Sequence, residues 1–297
     1  MMVNPFCYIA EDGEPVLELK MGVVLYVEDP PNPDQARRVY DFYFGQCGDR
    51  IRTYCSTAPG SLPQAWDRSA RKRFEDFKLK DLRKRRDWGY GFADGRKFDS
   101  WLFMFHGYRP YSEAGKASFF RFDFDWGVDL DFLRGFVEGL LSLVPCLSGF
   151  GGYYFQGSLS HWEESYNRMF TLGMRYWGIE AHNLDVTVNS MLQGYKSVNW
   201  LTIIGETFRQ GNPEAVRRAK NVAFAYKETP YAVLFQADAK PRFGDRNRQE
   251  VLPGYVALAN ALLPLQITEH DPLGGTLWTA DNTIRYIRRF THPDQVT

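Results

Sequence analysis

Residues 118–125 (SFFRFDFD) alternate strictly between aromatic and charged side chains. Phe120, Phe122 and Phe124 fall on one side, and Arg121, Asp123 and Asp125 on the other. A period of two belongs to a β-strand with one face in a core and one in water, so a half-buried strand is expected. Residues 129–143 (DLDFLRGFVEGLLSL) then switch to the period of an amphipathic helix. Asp129 and Asp131 sit where the positive end of the helix dipole favours carboxylates, and Pro145 ends the helix. A strand at 149–156 (GFGGYYFQ), flexible at its glycines, and a helix at 161–176 continue the theme. Strand, helix, strand, helix in one run excludes all-α and all-β folds.

The flanking regions fit the same class. Residues 16–27 (VLELKMGVVLYV) read as a Val/Leu-rich strand broken by Pro30, Pro31 and Pro33. A helix is expected over 34–45, with Asp34 near its start, and a short strand over 50–55. Further strands are expected at 100–106, 198–204, 221–226 and 231–237. Helices are expected at 213–220 and 253–263, each opened by proline, and at 280–290. The expected fold is α+β: a largely antiparallel or mixed sheet flanked by helices. The strand–helix–strand order recurs in the last third, which suggests a loose internal duplication. The 297 residues then form a single domain (1–297), or two packed halves of about 1–160 and 161–297.

Formal net charge is zero, which argues against a dedicated nucleic-acid or anionic-membrane binder. One segment departs from this balance: residues 68–86 carry a net +7. The stretch 64–86 reads as a mostly solvated helix with Trp66, Phe74, Phe77 and Leu82 as a narrow buried stripe. The 48 aromatic residues supply core area and, secondarily, interface anchors. Cys7, Cys47, Cys55 and Cys146 form no CxxC pair and read as reduced, mostly buried thiols. The first residues lack a basic segment followed by an apolar one, and no window is long enough to span a bilayer. A cytoplasmic location is expected.

The search for chemistry finds little. None of His106, His161, His182, His270 and His292 pairs with another at helical spacing, and no metal or cofactor is expected. Gly149, Gly151 and Gly152 follow a helix and open a strand, opposite to a phosphate loop, and read as a tight turn with close backbone packing. No GxSxG elbow exists. Asp238-Ala-Lys240 after a strand has the form of a metal-dependent nuclease fragment, but it needs a second acid on a neighbouring strand. A metal-dependent hydrolase or nuclease, or a nucleic-acid-associated module using 68–86, are the alternative functions. The acids Asp123, Asp125, Asp129, Asp131, Glu163 and Glu164, with Trp126 and Trp162 beside them, form instead a candidate patch for a basic protein partner.

The order SFFRFDFDW (118–126), SGFGGYYF (148–155), SVNWLTIIG (197–205), VLFQADAKPRFGDRNRQ (233–249) and LPGYVALANALLPLQI (252–267) resembles the TsiV-type family of type VI secretion immunity proteins. The resemblance spans roughly residues 16–291. It is looser at 176–186, where Trp177 stands in place of a family proline. It implies a non-catalytic cytoplasmic protein that binds a cognate effector toxin, expected to be a VRR-Nuc-type nuclease, and occludes its active or substrate-binding site. It implies no membrane association, no direct nucleic-acid contact and no catalytic residues.

Overall fold

The computed structural model describes residues 4–57, 60–84, 87–96, 100–108 and 115–291. In chain order these form β1 (Tyr8–Ile9), β2 (Pro15–Val27), α1 (Pro33–Cys47), β3 (Thr53–Ser56), β4 (Gln64–Ala65), α2 (Arg68–Arg73), β5 (Trp88–Ala93) and β6 (Leu102–Gly107). Then come β7 (Ser118–Phe124), α3 (Leu130–Leu140), β8 (Ser148–Gly157), α4 (Trp162–Arg175), β9 (Glu180–Ala181), α5 (Leu184–Thr187) and β10 (Leu201–Gly205). The last are α6 (Glu206–Gly211), α7 (Pro213–Val222), β11 (Ala225–Glu228), β12 (Ala232–Gln236), α8 (Pro253–Leu262) and α9 (Ala280–Ile287).

The strands make one open 12-stranded sheet in the order β11-β12-β10-β8-β2-β7-β6-β5-β3-β4, with β1 added to β2 and β9 to β8. Among the described strands every pairing is antiparallel except β8 with β9. The protein is therefore α+β, with its sheet open rather than closed into a barrel. β2 is the axis: it pairs with β8 from Leu17 to Tyr26 and with β7 from Met21 to Val27. Its apolar residues lie on both faces, as a strand covered on two sides requires, and every residue after Pro15 is buried.

Helix starts follow local chemistry. Asn32 caps α1, its side chain accepting from Asp34 and Gln35 N–H while the Gln35 side chain accepts from the Asn32 N–H. Asp129 caps α3 through the Phe132 N–H at 2.7 Å. Asn212 and Pro213 open α7, and Thr279 with Asn282 forms a second capping box at α9.

Alternate residues of β2 divide the core. Met21, Val23, Leu25 and Val27 face the layer that holds Tyr43 of α1 and Phe136 of α3. Val24 and Tyr26 face Phe119, Phe150 and Ile267 on the other side. The aromatic excess is mostly spent inside. Phe103 stacks on Phe122 with centroids 5.0 Å apart, Phe92 on Phe103 at 5.7 Å, and Phe136 meets Phe122 and Phe124 at 5.1 Å. This cross-strand ladder is the sheet's own packing device.

Three expectations are corrected. β7 is not half-buried: all seven residues are inside, because its charged face lies at the bottom of a groove rather than in water. The stretch 64–86 is not one helix. It runs through β4 and α2 into a wider π turn (Phe74–Lys78) and a 3-10 turn (Lys80–Lys84), with 85–86 outside the described residues. Phe74 and Leu82 are buried, but Phe77 is 65% exposed, since the π turn rotates it off the inner stripe. Gly149, Gly151 and Gly152 lie within β8, not in a turn. Close backbone packing does hold: a Cβ on Gly149 would stand 2.3 Å from the Val24 carbonyl oxygen.

Candidate functional site

The end of the sheet where β2 begins carries most of the acids singled out in the sequence. β7 ends with Phe124 beside Met21, and β8 ends with Gly157 beside Leu17. The two strand ends flank β2 and lie roughly 17 Å apart by strand spacing and rise. From the first, a turn at Asp125–Val128 leads into α3. Asp129 and Asp131 are exposed there, the first capping the helix and the second paired with Arg134 at 3.0 Å. Asp125 is half-buried and accepts the Trp101 indole N–H at 3.0 Å, while Trp126 beside it is half-buried. From the second, the chain enters α4, where Glu163 and Glu164 are exposed and Glu164 pairs with Arg168 at 2.8 Å. Trp162 is 45% exposed and packs on Tyr166, with ring centroids 5.6 Å apart. Both glutamates line a shallow depression of about 670 Å³ that also includes Tyr8 and Leu277.

Asp123 does not belong to this surface. It is 1% exposed, and its carboxylate takes two hydrogen bonds from Arg121, at 2.9 and 2.6 Å. Arg121 also donates to Tyr154 Oη at 2.9 Å and to Gln156 Oε1. Beside this group, Lys20 pairs with Glu18 at 2.7 Å. Glu18, Lys20, Arg121, Asp123 and Gln156 line a groove of about 590 Å³ on the sheet face opposite α1 and α3. Leu102, Met104 and His106 of β6 line it too and remain half-exposed. The groove was missed in the sequence. Its signal was Glu18 and Lys20, two apart in an otherwise apolar strand and so on one face with each other.

Gly22 makes room for the network. The Tyr154 ring lies over it, so a Cβ there would come 2.5 Å from Tyr154 Cε1 and 2.9 Å from the Phe122 carbonyl oxygen. Gly22→Ala should therefore displace Tyr154 from Arg121 and cost about 1–3 kcal/mol, as overpacking does. A urea midpoint shift equivalent to less than about 0.5 kcal/mol would show that the ring is free to move.

A second buried charge cluster ties the far half together. Glu180 on β9 meets Lys196 Nζ at 2.8 Å and Arg289 Nη2 at 3.1 Å, and accepts the Ser197 hydroxyl at 2.9 Å. Burial alone would raise Glu180, but the two cations outweigh it and hold the carboxyl at about 2. Lys196 moves the other way, pushed down by burial. The asymmetry is physical, since one carboxylate serves two cations. Burial also keeps His182 well below the usual imidazole range and His270 at about 4, so both are neutral near pH 7.

Among the described residues no three His, Cys, Asp or Glu side chains gather in a metal-binding group; His292 lies outside them. Asp238 follows β12, and its carboxylate accepts the Ala239 N–H at 2.6 Å. The neighbouring strand brings the Trp200 indole, not an acid, to the Asp238 carbonyl. None of the four cysteines forms a disulfide: Cys47 and Cys146 are buried, Cys55 is half-buried and Cys7 exposed, so burial covers two of the four. No helix among the described residues is long and apolar enough to cross a membrane.

An open antiparallel sheet with helices against it is an architecture shared with a solved structure. A type VI secretion system (T6SS) protein of Pseudomonas aeruginosa superposes with a TM-score of 0.76 over 97% of this chain and 88% of its own, at 15% identity. At that identity the likeness establishes the fold. The TsiV family, described as type VI immunity for VRR-NUC, matches residues 127–290, more than half of the sequence, and the chain belongs to it. The earlier part of the resemblance, from residue 16, lies outside that match. No curated protein matches the sequence.

Proposed function

We propose that this type VI immunity protein neutralises a cognate VRR-Nuc-type nuclease effector in the cytoplasm by binding it and covering its substrate-binding surface, with no bond made or broken by its own side chains. The observation that carries this reading is the placement of Asp129, Asp131, Glu163, Glu164 and Trp162 at one end of the sheet. A channel that holds DNA must be cationic, so a carboxylate-bearing surface can occupy it in place of phosphates. The roughly 17 Å between the two strand ends fits within one interface of about 800 Å² per partner, which is about 30 Å across. Trp162 offers the aromatic anchor that such interfaces use. Asp125 and Trp126 sit at the patch margin. The chain acts as one domain, because β10 of the second half pairs with β8 of the first and so continues a single sheet.

The direct test mixes the full chain with a VRR-Nuc-type effector of the same type VI secretion system. A complex stable through size exclusion, and loss of duplex DNA cleavage at equimolar inhibitor, are expected. Full cleavage at saturating inhibitor, or DNA cleavage by this chain alone with a divalent metal, would remove the reading.

A further inference from the structure

The groove on the open face of the sheet is a built site. Its floor is polar and already satisfied, with Glu18 on Lys20 and Arg121 on Asp123, Tyr154 and Gln156. Its rim is apolar, formed by Met104 and by Leu159, which is 81% exposed. Gly91 leaves space at the far side: a Cβ there would meet only Cys55 Sγ at 3.6 Å and Met104 Cε at 3.8 Å. The lining carries three carboxylates (Glu18, Asp123, Asp185) against two cations (Lys20, Arg121). His106 and His182 do not redress that excess, since burial lowers both below the usual imidazole range. The odd carboxylate is Asp185, exposed at the mouth. His182, wholly buried at the wall, has its Nδ1 without a hydrogen-bond partner among the described residues.

We infer that this groove receives an extended, cationic segment of the effector, an arginine or lysine flanked by aliphatic residues. The inference rests on the reading of this chain as that effector's inhibitor. Three properties select the occupant. The excess carboxylate at the mouth attracts a cation, and a DNA-binding nuclease is rich in them. The floor's charges are paired before binding, so covering them leaves no new unpaired charge. From β3 to β2 the groove crosses five strands, roughly 19 Å, which accommodates five or six extended residues. The groove and the acidic ends of α3 and α4 then act together: the acids steer the encounter and the groove holds the inserted segment.

Cys55 reports on the groove from inside it. In a Cys7→Ser background, with Cys47 and Cys146 buried and Cys55 half-buried, a maleimide probe should label Cys55 in the absence of effector. Saturating effector should slow that labelling by at least about tenfold. Gly91→Trp, which fills the groove, should weaken binding about 100-fold, and Asp185→Lys about tenfold, both in the range that interface anchors carry. A complex that forms normally while Cys55 labels at the free rate would overturn the groove assignment and leave the inhibitory function standing. No complex with any form of the chain would overturn both. If Gly91→Trp fails to fold, the thiol protection decides alone.

Discussion

Replacing Glu180 by alanine should cost the fold about 3–5 kcal/mol, because it leaves Lys196 and Arg289 as buried, unpaired cations. Arg289 is held in place besides, donating to the Trp177 and Tyr286 carbonyls and lying 4.0 Å from the Tyr286 ring centroid. It therefore has no easy route to water. Urea unfolding followed by tryptophan fluorescence reads the change. A loss below about 1 kcal/mol, the range of an exposed pair, would mean that the cluster is solvated in solution.

The same cluster sets an acid limit. Glu180 is held at about 2 in the folded protein, below the roughly 4.3 of an unfolded glutamate. A depressed carboxyl contributes stability that is complete above the unfolded value and disappears as pH falls through the folded one, here on the order of 3 kcal/mol. The wild-type protein should lose stability steeply between about pH 4.3 and pH 2, and Glu180→Gln should flatten that part of the curve. Equal slopes in both would assign the acid sensitivity elsewhere.

The second large effect concerns association. Asp129→Ser with Asp131→Lys, Glu163→Lys and Glu164→Lys reverses the acidic end while the serine hydroxyl preserves the α3 cap. Binding of the nuclease effector should slow by about 10–100-fold at low salt, with the difference shrinking as salt rises, because exposed charges act chiefly on encounter. Stopped-flow or surface-plasmon rates at two ionic strengths give the result. Association unchanged at low salt would detach these acids from the interface. Trp162→Ala should act instead on dissociation, since an anchor is lost after docking.

Much of the architecture was legible because it is local. The period-two run at 118–125, the helix after Asp129, the proline-opened helices and the hairpin around Pro230 depend on neighbours a few residues away, and each is present within a residue or a few of where it was expected. The family, too, was legible from the ordered series of motifs in the second half, which the match to residues 127–290 bears out. What failed was anything set by distant chain. The glycine run at 149–152 looked like a turn because glycine permits one. It is a strand because β2 and β10 must approach β8 closely on either side. Phe77 looked like core because its helical spacing fits, yet a π turn places it outside.

The sequence by itself determined the α+β class, the family, and the exposed acids at the starts of α3 and α4, because periodicity, capping and motif order are short-range properties. The tertiary structure alone decided which of the charged residues meet solvent. Arg121 and Asp123 alternate with phenylalanines in the way a wetted strand face does. Their environment is set by Tyr154 and Gln156, more than thirty residues further on, and by Glu18 and Lys20, a hundred residues back. Alternation separates the two faces of a strand; only the packing of distant strands beside it determines which face is open to water.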